Sequence, residues 1–379
     1  MSTADAIVVG GGIVEAACAF ELARTGRRVQ VLEAMPRTAG GATAAGMGHI
    51  IVADDSAAQF ALCRWSRQLW DELAADLPDA VQRDQCGCLW VAVNDDEMRM
   101  VFAKADYYNA RGVRAEILDQ AQLREAEPGL YHAAVGALRI PDDSIVYPPA
   151  AAAWLLSQVV ASGGTVRRDA VARSTKAGTV ELVSGESLEA EVVVNAAGER
   201  ALDLLTDTTL RGQVRPRKGH LAITERDHRI TRHQVAELGY FSSANSAAAA
   251  SVAFNVQPRV TGQMLIGSSR QFDAVDSSVE PEILGRMLFR AMEVLPALRD
   301  LRVIRTWTGF RAATPDKLPL VGPVPGSPGL WLATGHEGLG ITTSMGTGRL
   351  IAALVDDQIP DIDPRPYRLD RELAAWSAA

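Results

Sequence analysis

The sequence predicts an α/β fold in which a discontinuous domain with a parallel sheet is combined with an α+β domain that contains an antiparallel sheet. Three observations predict this fold. A strand, a glycine turn, a helix and a second strand open the chain over residues 6–33, and a buried β-branched strand ends in a small-residue turn at 192–198. A strand, a glycine-rich turn and a helix then return over 330–355. Between the last two, residues 211–305 alternate apolar and polar side chains, as antiparallel strands do.

The opening stretch has the pattern of a dinucleotide-binding βαβ unit. Gly10 allows a tight turn, and Gly12 lets backbone N–H groups at a helix N-terminus approach a pyrophosphate. Glu33 lies where a carboxylate accepts hydrogen bonds from a ribose. Glu15, however, replaces the third glycine of G-x-G-x-x-G, and its charge is expected to oppose the phosphates. This stretch alone therefore leaves NAD, FAD and no nucleotide open.

Composition excludes several classes of protein. The 379 residues are enough for two domains, and the net charge of −8 without a Lys/Arg run argues against nucleic-acid binding. No apolar stretch approaches the length of a membrane span and no signal peptide is recognisable, so we expect a cytoplasmic protein. The four cysteines predict buried or half-buried thiols, and we predict no metal.

The remaining segments predict helices at 56–77, 95–111, 119–125, 150–161 and 281–295. Strands are predicted at 86–93, 165–167, 179–183 and 188–194, the last two as a hairpin whose second strand continues into the 195–198 turn. We place the nucleotide-binding domain at 1–85, 145–215 and 305–379. The substrate-binding domain takes 86–144 and 216–304.

Five ordered motifs together resemble the D-amino-acid oxidase superfamily of flavoproteins. They are the glycine turn with Glu33, the small-residue run at 42–47, the strand end at 194–198, residues 309–316, and the turn at 335–340. The resemblance is to the branch that contains glycine oxidase, sarcosine oxidase and D-hydroxyproline dehydrogenase, and it covers nearly the whole chain.

The resemblance implies a Rossmann-like FAD-binding domain. FAD is expected to be noncovalent, because Gly309 falls where monomeric sarcosine oxidases have the cysteine that links the flavin. The backbone of Val171 is implied to meet the adenine. The residues implied to bind FAD are Gly10, Gly12, Ile13, Glu33, Ala34, Thr43, Ala44, Ala45, Gly46, Met47, Val171, Ala197, Gly198, Gly338, Leu339, Gly340, Ile341 and Thr342.

The resemblance also assigns Arg311 to the substrate carboxylate. The chemistry agrees, because a guanidinium binds a carboxylate with two hydrogen bonds and so orients the Cα–H bond. A structural salt bridge is the alternative for this arginine. Asn255 falls where the glycine-oxidase branch has a carboxylate-contacting tyrosine, and Tyr240 is expected to reach the same space. We expect Lys218, Arg259 and Arg270 to be solvated. His49, His220 and His336 are candidates for lining the pocket, and a core or surface histidine without a catalytic role is the alternative for each.

These assignments lead to the hypothesis that a small amine α to a carboxylate loses a hydride from Cα to flavin N5. Two alternatives stay open: a dehydrogenase subunit that passes electrons to a partner protein, and a nucleotide-binding module without redox activity. A homo-oligomer also stays open.

Overall fold

The computed structural model of the protein describes residues 4–131, 134–206, 210–227, 230–238, 250–272, 274, 276–373 and 376. The chain divides into two compact units. Unit 1 comprises Met1–Val81, Val146–Arg217 and Phe310–Ser377. Unit 2 comprises Gln82–Ile145, Lys218–Gly309 and Ala378–Ala379.

The α-helices of the described residues are α1 (Ile13–Arg24), α2 (Ala57–Glu72), α3 (Asp95–Asn109), α4 (Gln120–Ala126), α5 (Pro148–Ala161), α6 (Pro281–Val294) and α7 (Gly340–Val355). The strands are β1 (Ala6–Val9), β2 (Val29–Leu32), β3 (His49–Ile50), β4 (Cys88–Ala92), β5 (Glu116–Asp119), β6 (Gly136–Ile140), β7 (Ser144–Ile145), β8 (Thr165–Arg167), β9 (Ala172–Lys176), β10 (Thr179–Leu182), β11 (Ser187–Glu189), β12 (Val192–Asn195), β13 (Arg215–Thr224), β14 (Gln234–Glu237), β15 (Ala250–Pro258), β16 (Met264–Gln271), β17 (Val303–Ala313), β18 (Leu320–Pro323) and β19 (Leu330–Thr334).

Unit 1 contains a six-stranded sheet in the order β18-β19-β12-β1-β2-β8. All its neighbouring strands run parallel except β18 and β19. The β-branched and aliphatic side chains of β1, β2, β12 and β19 are buried, as expected for parallel strands covered on both faces. The carboxyl ends of β1, β2, β12 and β19 therefore lie along one edge, where open α/β sheets bind ligands.

Helices α1 and α7 pack closely enough to bring their first turns together. A Cβ built on Gly348 would lie 2.5 Å from the carbonyl oxygen of Ala17, so only glycine permits this approach. Near the helix starts, a Cβ built on Gly340 would lie 3.8 Å from a methyl group of Val14. Two helix N-termini, each a source of unpaired N–H groups, are thus neighbours.

Unit 2 is organised around an eight-stranded sheet in the order β17-β13-β16-β15-β14-β4-β6-β5. The pairs that join β13, β16, β15 and β14 are antiparallel, as are β4–β6 and β6–β5, whereas β14 and β4 run parallel. One face packs on α6 through an apolar cluster that includes Val235, Phe254, Val256 and Ile266. The mixed α/β architecture confirms the predicted fold class.

The predicted strand at 188–194 is wrong as a single element. Ser187–Glu189 pairs with β10 in a small three-stranded sheet, whereas Val192–Asn195 pairs with β1 in the large sheet. The two pieces differ in burial: the first is partly or fully exposed, and the second is fully buried. The β propensity is continuous across 188–194, so the sequence pattern does not show that the chain leaves one sheet and joins another within this segment.

Candidate functional site

The glycine turn lies at the carboxyl end of β1. Gly10 has φ of +109°, a conformation that favours glycine, and its N–H donates to the carbonyl of Leu32 at 2.7 Å. Gly12 is the N-cap residue of α1 and has no side chain to cap it. The hydroxyl of Thr43 supplies that function from 30 residues away, because its oxygen accepts the Ile13 N–H at 3.0 Å. The turn and the small-residue run are thus joined at the helix start.

Glu15 folds back over the glycine turn. A Cβ built on Gly10 would lie 2.8 Å from Cγ of Glu15, and one built on Gly12 would lie 2.7 Å from its Oε2. The side chain therefore occupies space that the two glycines leave free. Backbone hydrogen bonds from Glu15 and Val14 reach its carboxyl group in the first turn of α1.

Burial raises the pKa of Glu15 to about 8, and the charges of Glu33 and Glu199 raise it in the same direction. The two backbone hydrogen bonds favour the ionised form but do not overcome the loss of hydration. At neutral pH the group is therefore mostly a neutral carboxylic acid. Because Glu15 is protonated, it can lie at the third glycine position close to the carboxylates of Glu33 and Glu199 without strong repulsion.

Glu33 follows β2 and is buried. One carboxyl oxygen accepts the Met35 N–H at 2.7 Å, and a Cβ built on Gly11 would lie 2.6 Å from the other. Gly11 thus leaves room for this carboxylate, while the adjacent Ala34 is exposed. The segment that carries Val171 joins the same strand end, since Ala170 N–H donates to the carbonyl of Glu33.

Val171 itself is 42% exposed, and its carbonyl accepts the Val183 N–H at 2.8 Å. That carbonyl is already used within the protein. Any polar contact of this residue with an adenine would therefore most readily use its N–H group.

The small-residue run meets the turn at 338–342. A Cβ built on Gly46 would lie 2.8 Å from Cδ1 of Ile341. The hydroxyl of Thr342 donates to the carbonyl of His49 at 2.9 Å and accepts the Ile51 N–H at 3.2 Å. Residues 43–48 and 338–342, almost 300 positions apart, therefore form one surface of largely small side chains. Within the run, Ala44 is exposed, Ala45 is half-buried and Met47 is buried.

The turn after β12 completes this edge of the sheet. Gly198 has φ of +59°, and its carbonyl accepts the Thr334 hydroxyl at 2.6 Å. The preceding Ala197 is partly exposed, and its N–H donates to the side chain of Asn195. Glu199, in the same turn, has a raised pKa because of desolvation.

Arg311 lies beside the 335–340 turn. Its Nε would be 3.8 Å from a Cβ built on Gly338, which is van der Waals contact, so the side chain of Arg311 lies next to this turn. Glu337 is held in a left-handed conformation with φ of +49°, accepts the Gly338 N–H at 2.6 Å, and approaches Arg217 at 3.5 Å.

Arg217 is buried, and no motif in the sequence marks it as a site residue. The sequence gives little indication of a role for Arg217, because this residue lies among other basic residues at the start of β13. Pairing with Glu337 distinguishes it from them.

Some predicted placements are wrong. Lys218 is 1% exposed and paired with Glu280 at 2.9 Å, and Arg270 is also buried, so neither is solvated. Arg259 is half-buried and donates to Gln82 at 2.6 Å. A long cationic side chain is almost never fully buried unless it is paired, and Glu280 supplies the partner for Lys218 from a distant segment.

The histidines differ from one another. Both ring nitrogens of His220 are engaged within unit 2, by the Ser269 hydroxyl and the Glu280 N–H. His336 is buried against the Thr347 hydroxyl, and desolvation lowers its pKa to about 3. It therefore stays neutral across the physiological range. His49 is only half-buried.

Tyr240 lies outside the described residues. Asn255 lies on β15 in unit 2 and is buried, with Oδ1 lacking a hydrogen-bond partner in the described part of the chain. Cys18, Cys63 and Cys88 are buried and Cys86 is half-buried, which confirms the prediction for the thiols.

The described residues contain no cluster of three His, Cys, Asp or Glu side chains arranged to hold a metal ion. No helix among them has both the length and the apolar character needed to cross a membrane.

Unit 1 fits FAD on its own geometry. The glycine turn leaves backbone exposed at a helix start, a buried carboxylate stands at the end of β2, and a surface of small side chains is available for a flat ring. The neutral form of Glu15 removes one charge that would oppose a pyrophosphate.

Comparisons with known proteins agree with this geometry. Residues 5–354 match the DAO family, described as FAD dependent oxidoreductase. The hydrogen cyanide synthase subunit HcnC of Pseudomonas aeruginosa is 30% identical, with 100% of this chain and 99% of the relative covered. The glycine oxidase of Geobacillus kaustophilus is 28% identical, with 97% of each covered. A crystal structure of that glycine oxidase has a TM-score of 0.87 at 26% identity, covering 99% of this chain and 100% of that one.

The predicted superfamily and cofactor are thereby confirmed. The chain belongs to the DAO family of FAD-dependent oxidoreductases and is an enzyme.

Proposed function

We propose that the protein oxidises a small primary or secondary amine α to a carboxylate, such as an N-substituted glycine or a D-imino acid, to the imine. The observation that carries this proposal is Arg311, whose guanidinium lies beside the exposed Gly338 turn next to the small-residue surface. The similarity to glycine oxidase supports the same class of substrate.

Unit 1 is proposed to bind FAD noncovalently. The N-terminus of α1 and the 10–12 turn take the pyrophosphate, Glu33 takes a ribose hydroxyl, and residues 43–48 and 338–342 line the flavin ring. When bound, FAD supplies the two-electron acceptor for a hydride from the substrate Cα. Unit 2 is proposed to contribute substrate contacts, among them Asn255 and Tyr240.

Arg311 is proposed to hold the substrate carboxylate through two charge-assisted hydrogen bonds. This contact fixes the Cα–H bond, and orientation of that kind supplies a large part of an enzymatic rate. His336 does not act as a base at neutral pH, because its imidazole is buried and already bonded to Thr347. The amine is therefore proposed to arrive in its neutral form, so that no side-chain base is required.

A second candidate is a dehydrogenase subunit that passes electrons to a partner protein instead of oxygen. The relative HcnC, which is a subunit of hydrogen cyanide synthase, favours this alternative. The two candidates share the amine half-reaction and differ only in the acceptor.

The proposal is tested by anaerobic mixing of the yellow holoenzyme with glycine, sarcosine, D-proline, D-hydroxyproline and longer N-alkylglycines. Bleaching of the flavin absorbance by at least one of them is expected. If none bleaches it, the proposed amine chemistry is wrong. Peroxide measured after admission of air then separates an oxidase from a dehydrogenase that requires a partner.

A further inference from the structure

Three amide side chains form a row on the unit 2 sheet. They are Gln234 on β14 and Asn255 and Gln257 on β15, and we call them the amide row. The antiparallel register pairs Ala236 with Asn255 and Val235 with Val256, so Gln234 stands opposite Gln257. Side chains in directly opposed positions lie about 5 Å apart, and those two residues apart on one strand lie about 7 Å apart on the same face.

The amide row occupies the sheet face opposite the apolar core of unit 2. Along β15, Phe254 and Val256 point into that core, so Asn255 and Gln257 point away from it. A polar face of this kind usually lies in solvent. Here Gln234 is 1% exposed, Asn255 3% and Gln257 0%.

These buried amides lack partners. Among the described residues, no hydrogen bond reaches Nε2 of Gln234, Oδ1 of Asn255, or either Nε2 or Oε1 of Gln257. An unpaired buried polar group costs about 1–3 kcal/mol. Two donors and two acceptors are thus buried on one sheet face without protein partners among the described residues, so they are available to a bound polar group.

The positions paired with Asn255 on the two adjacent strands are small. Asn255 is flanked in register by Ala236 on one side and by Gly267 on the other. Ala236 ends at Cβ and Gly267 has no side chain, so neither covers the amide of Asn255 on this face of the sheet.

We infer that the amide row binds an uncharged hydrogen-bonding group of the substrate, a hydroxyl or a carboxamide carried on its side chain or nitrogen substituent. The inference rests on the proposed amine oxidation for the identity of the ligand as substrate. A carboxylate offers only acceptors, which the unpaired oxygens of Asn255 and Gln257 would repel. An ammonium group offers only donors and leaves the two NH₂ groups unpaired. A hydroxyl or carboxamide both donates and accepts.

The test uses two matched ligand pairs. N-(2-hydroxyethyl)glycine is compared with N-propylglycine, in which a methyl group replaces the hydroxyl, and 4-hydroxy-D-proline is compared with D-proline, in which hydrogen replaces it. Binding to the holoenzyme is measured by the ligand-induced rise in Tm, which does not require turnover. Anaerobic flavin bleaching is recorded in parallel and reports on the proposed function separately.

In the wild-type protein, the hydroxylated member of at least one pair should bind about tenfold more tightly or better. Gln257→Leu and Gln234→Leu should reduce that ratio about tenfold, with the ligand-free Tm unchanged or raised, because an apolar isostere removes an unpaired amide. The control is Gln59→Leu in unit 1. Gln59 is buried but satisfied, accepting the Asp55 N–H at 3.0 Å, so its loss should lower Tm and leave the ratio unchanged.

Equal binding of both members in every pair would overturn the inference, as would a ratio that neither variant changes, because ordered water would then satisfy the amides. Bleaching by the deoxy amines in either case would leave the proposed function standing. Selective binding without bleaching would support the amide row and reject the amine oxidation.

Discussion

Replacing Glu15 with glutamine tests whether a neutral acid at the third glycine position is what permits FAD to bind. The substitution keeps the size of the side chain that lies between Gly10 and Gly12 and removes its ability to ionise. Glu15→Gly removes both the charge and the crowding. Glu189→Gln, at an exposed position on β11, is the matched control.

The magnitude follows from the pKa of Glu15, which burial raises from 4.5 to about 8. The folded chain thus binds a proton that the unfolded chain releases, so the stability of the apoprotein falls as pH rises from 4.5 through 8. At about 1.36 kcal/mol per pH unit the upper limit is about 5 kcal/mol. Because Glu15 is half-buried by surface area, solvent screens part of this energy, and we expect about 2 kcal/mol. Glu15→Gln should lack this loss.

FAD binding should show the same dependence. Pyrophosphate charge beside Glu15 favours the protonated form further, so above pH 8 binding requires proton uptake. The wild-type Kd should then rise by up to about tenfold per pH unit, while the Kd of Glu15→Gln stays nearly constant.

The assay is fluorescence titration of apoprotein with FAD between pH 6 and 9.5, with thermal unfolding in the same buffers. Tighter binding by Glu15→Gly than by Glu15→Gln at pH 6 would reveal a contribution from crowding. If the FAD Kd and the thermal stability change with pH in the same way in the wild type and in Glu15→Gln, the assigned role of Glu15 protonation is wrong.

Three further substitutions address the site. Thr43→Val removes the acceptor of the Ile13 N–H and should lower the unfolding free energy of the apoprotein by about 1 kcal/mol in urea titrations. Thr43→Ser keeps the hydroxyl and should not lower it. Equal losses in the two variants would contradict the capping role of Thr43. Gly48→Ala should abolish folding or sharply lower Tm, because Gly48 has φ of +106° and a Cβ there would lie 2.1 Å from the carbonyl oxygen of Val146. An unchanged Tm would contradict that geometry. Arg311→Gln should lower kcat/KM about a hundredfold or more while FAD affinity holds, and unchanged kinetics would remove Arg311 from the substrate site.

Local pattern was sufficient for the strands and helices that carry the glycine turn and the 330–355 segment. In each, an apolar strand, a glycine-rich turn and an amphipathic or apolar helix follow one another within about 30 residues, so their geometry depends on neighbours in sequence. The contact between Gly46 and Ile341 is different. No periodicity links positions so far apart, and only the order of motifs suggested that they share a ligand.

The charge state of Glu15 could not be predicted from the sequence either. Its position was evident, but a pKa depends on the density of atoms and charges that the fold assembles, here including Glu33 and Glu199. The same limit applies to Lys218, whose burial depends on Glu280 from a distant segment. The alternation in β15 was visible, whereas the burial of its polar face was not.

The most direct test of the proposed function compares a carboxylate substrate with its carboxamide. The best amine from the anaerobic panel and the corresponding amide are mixed separately with wild-type holoenzyme and with Arg311→Gln, and the rate of flavin bleaching is followed by stopped flow. The carboxylate should bleach wild-type flavin at least about a hundredfold faster than the carboxamide, and Arg311→Gln should remove most of that difference. Equal rates for the two compounds in the wild-type enzyme would contradict the assignment of an amine held by its carboxylate on Arg311.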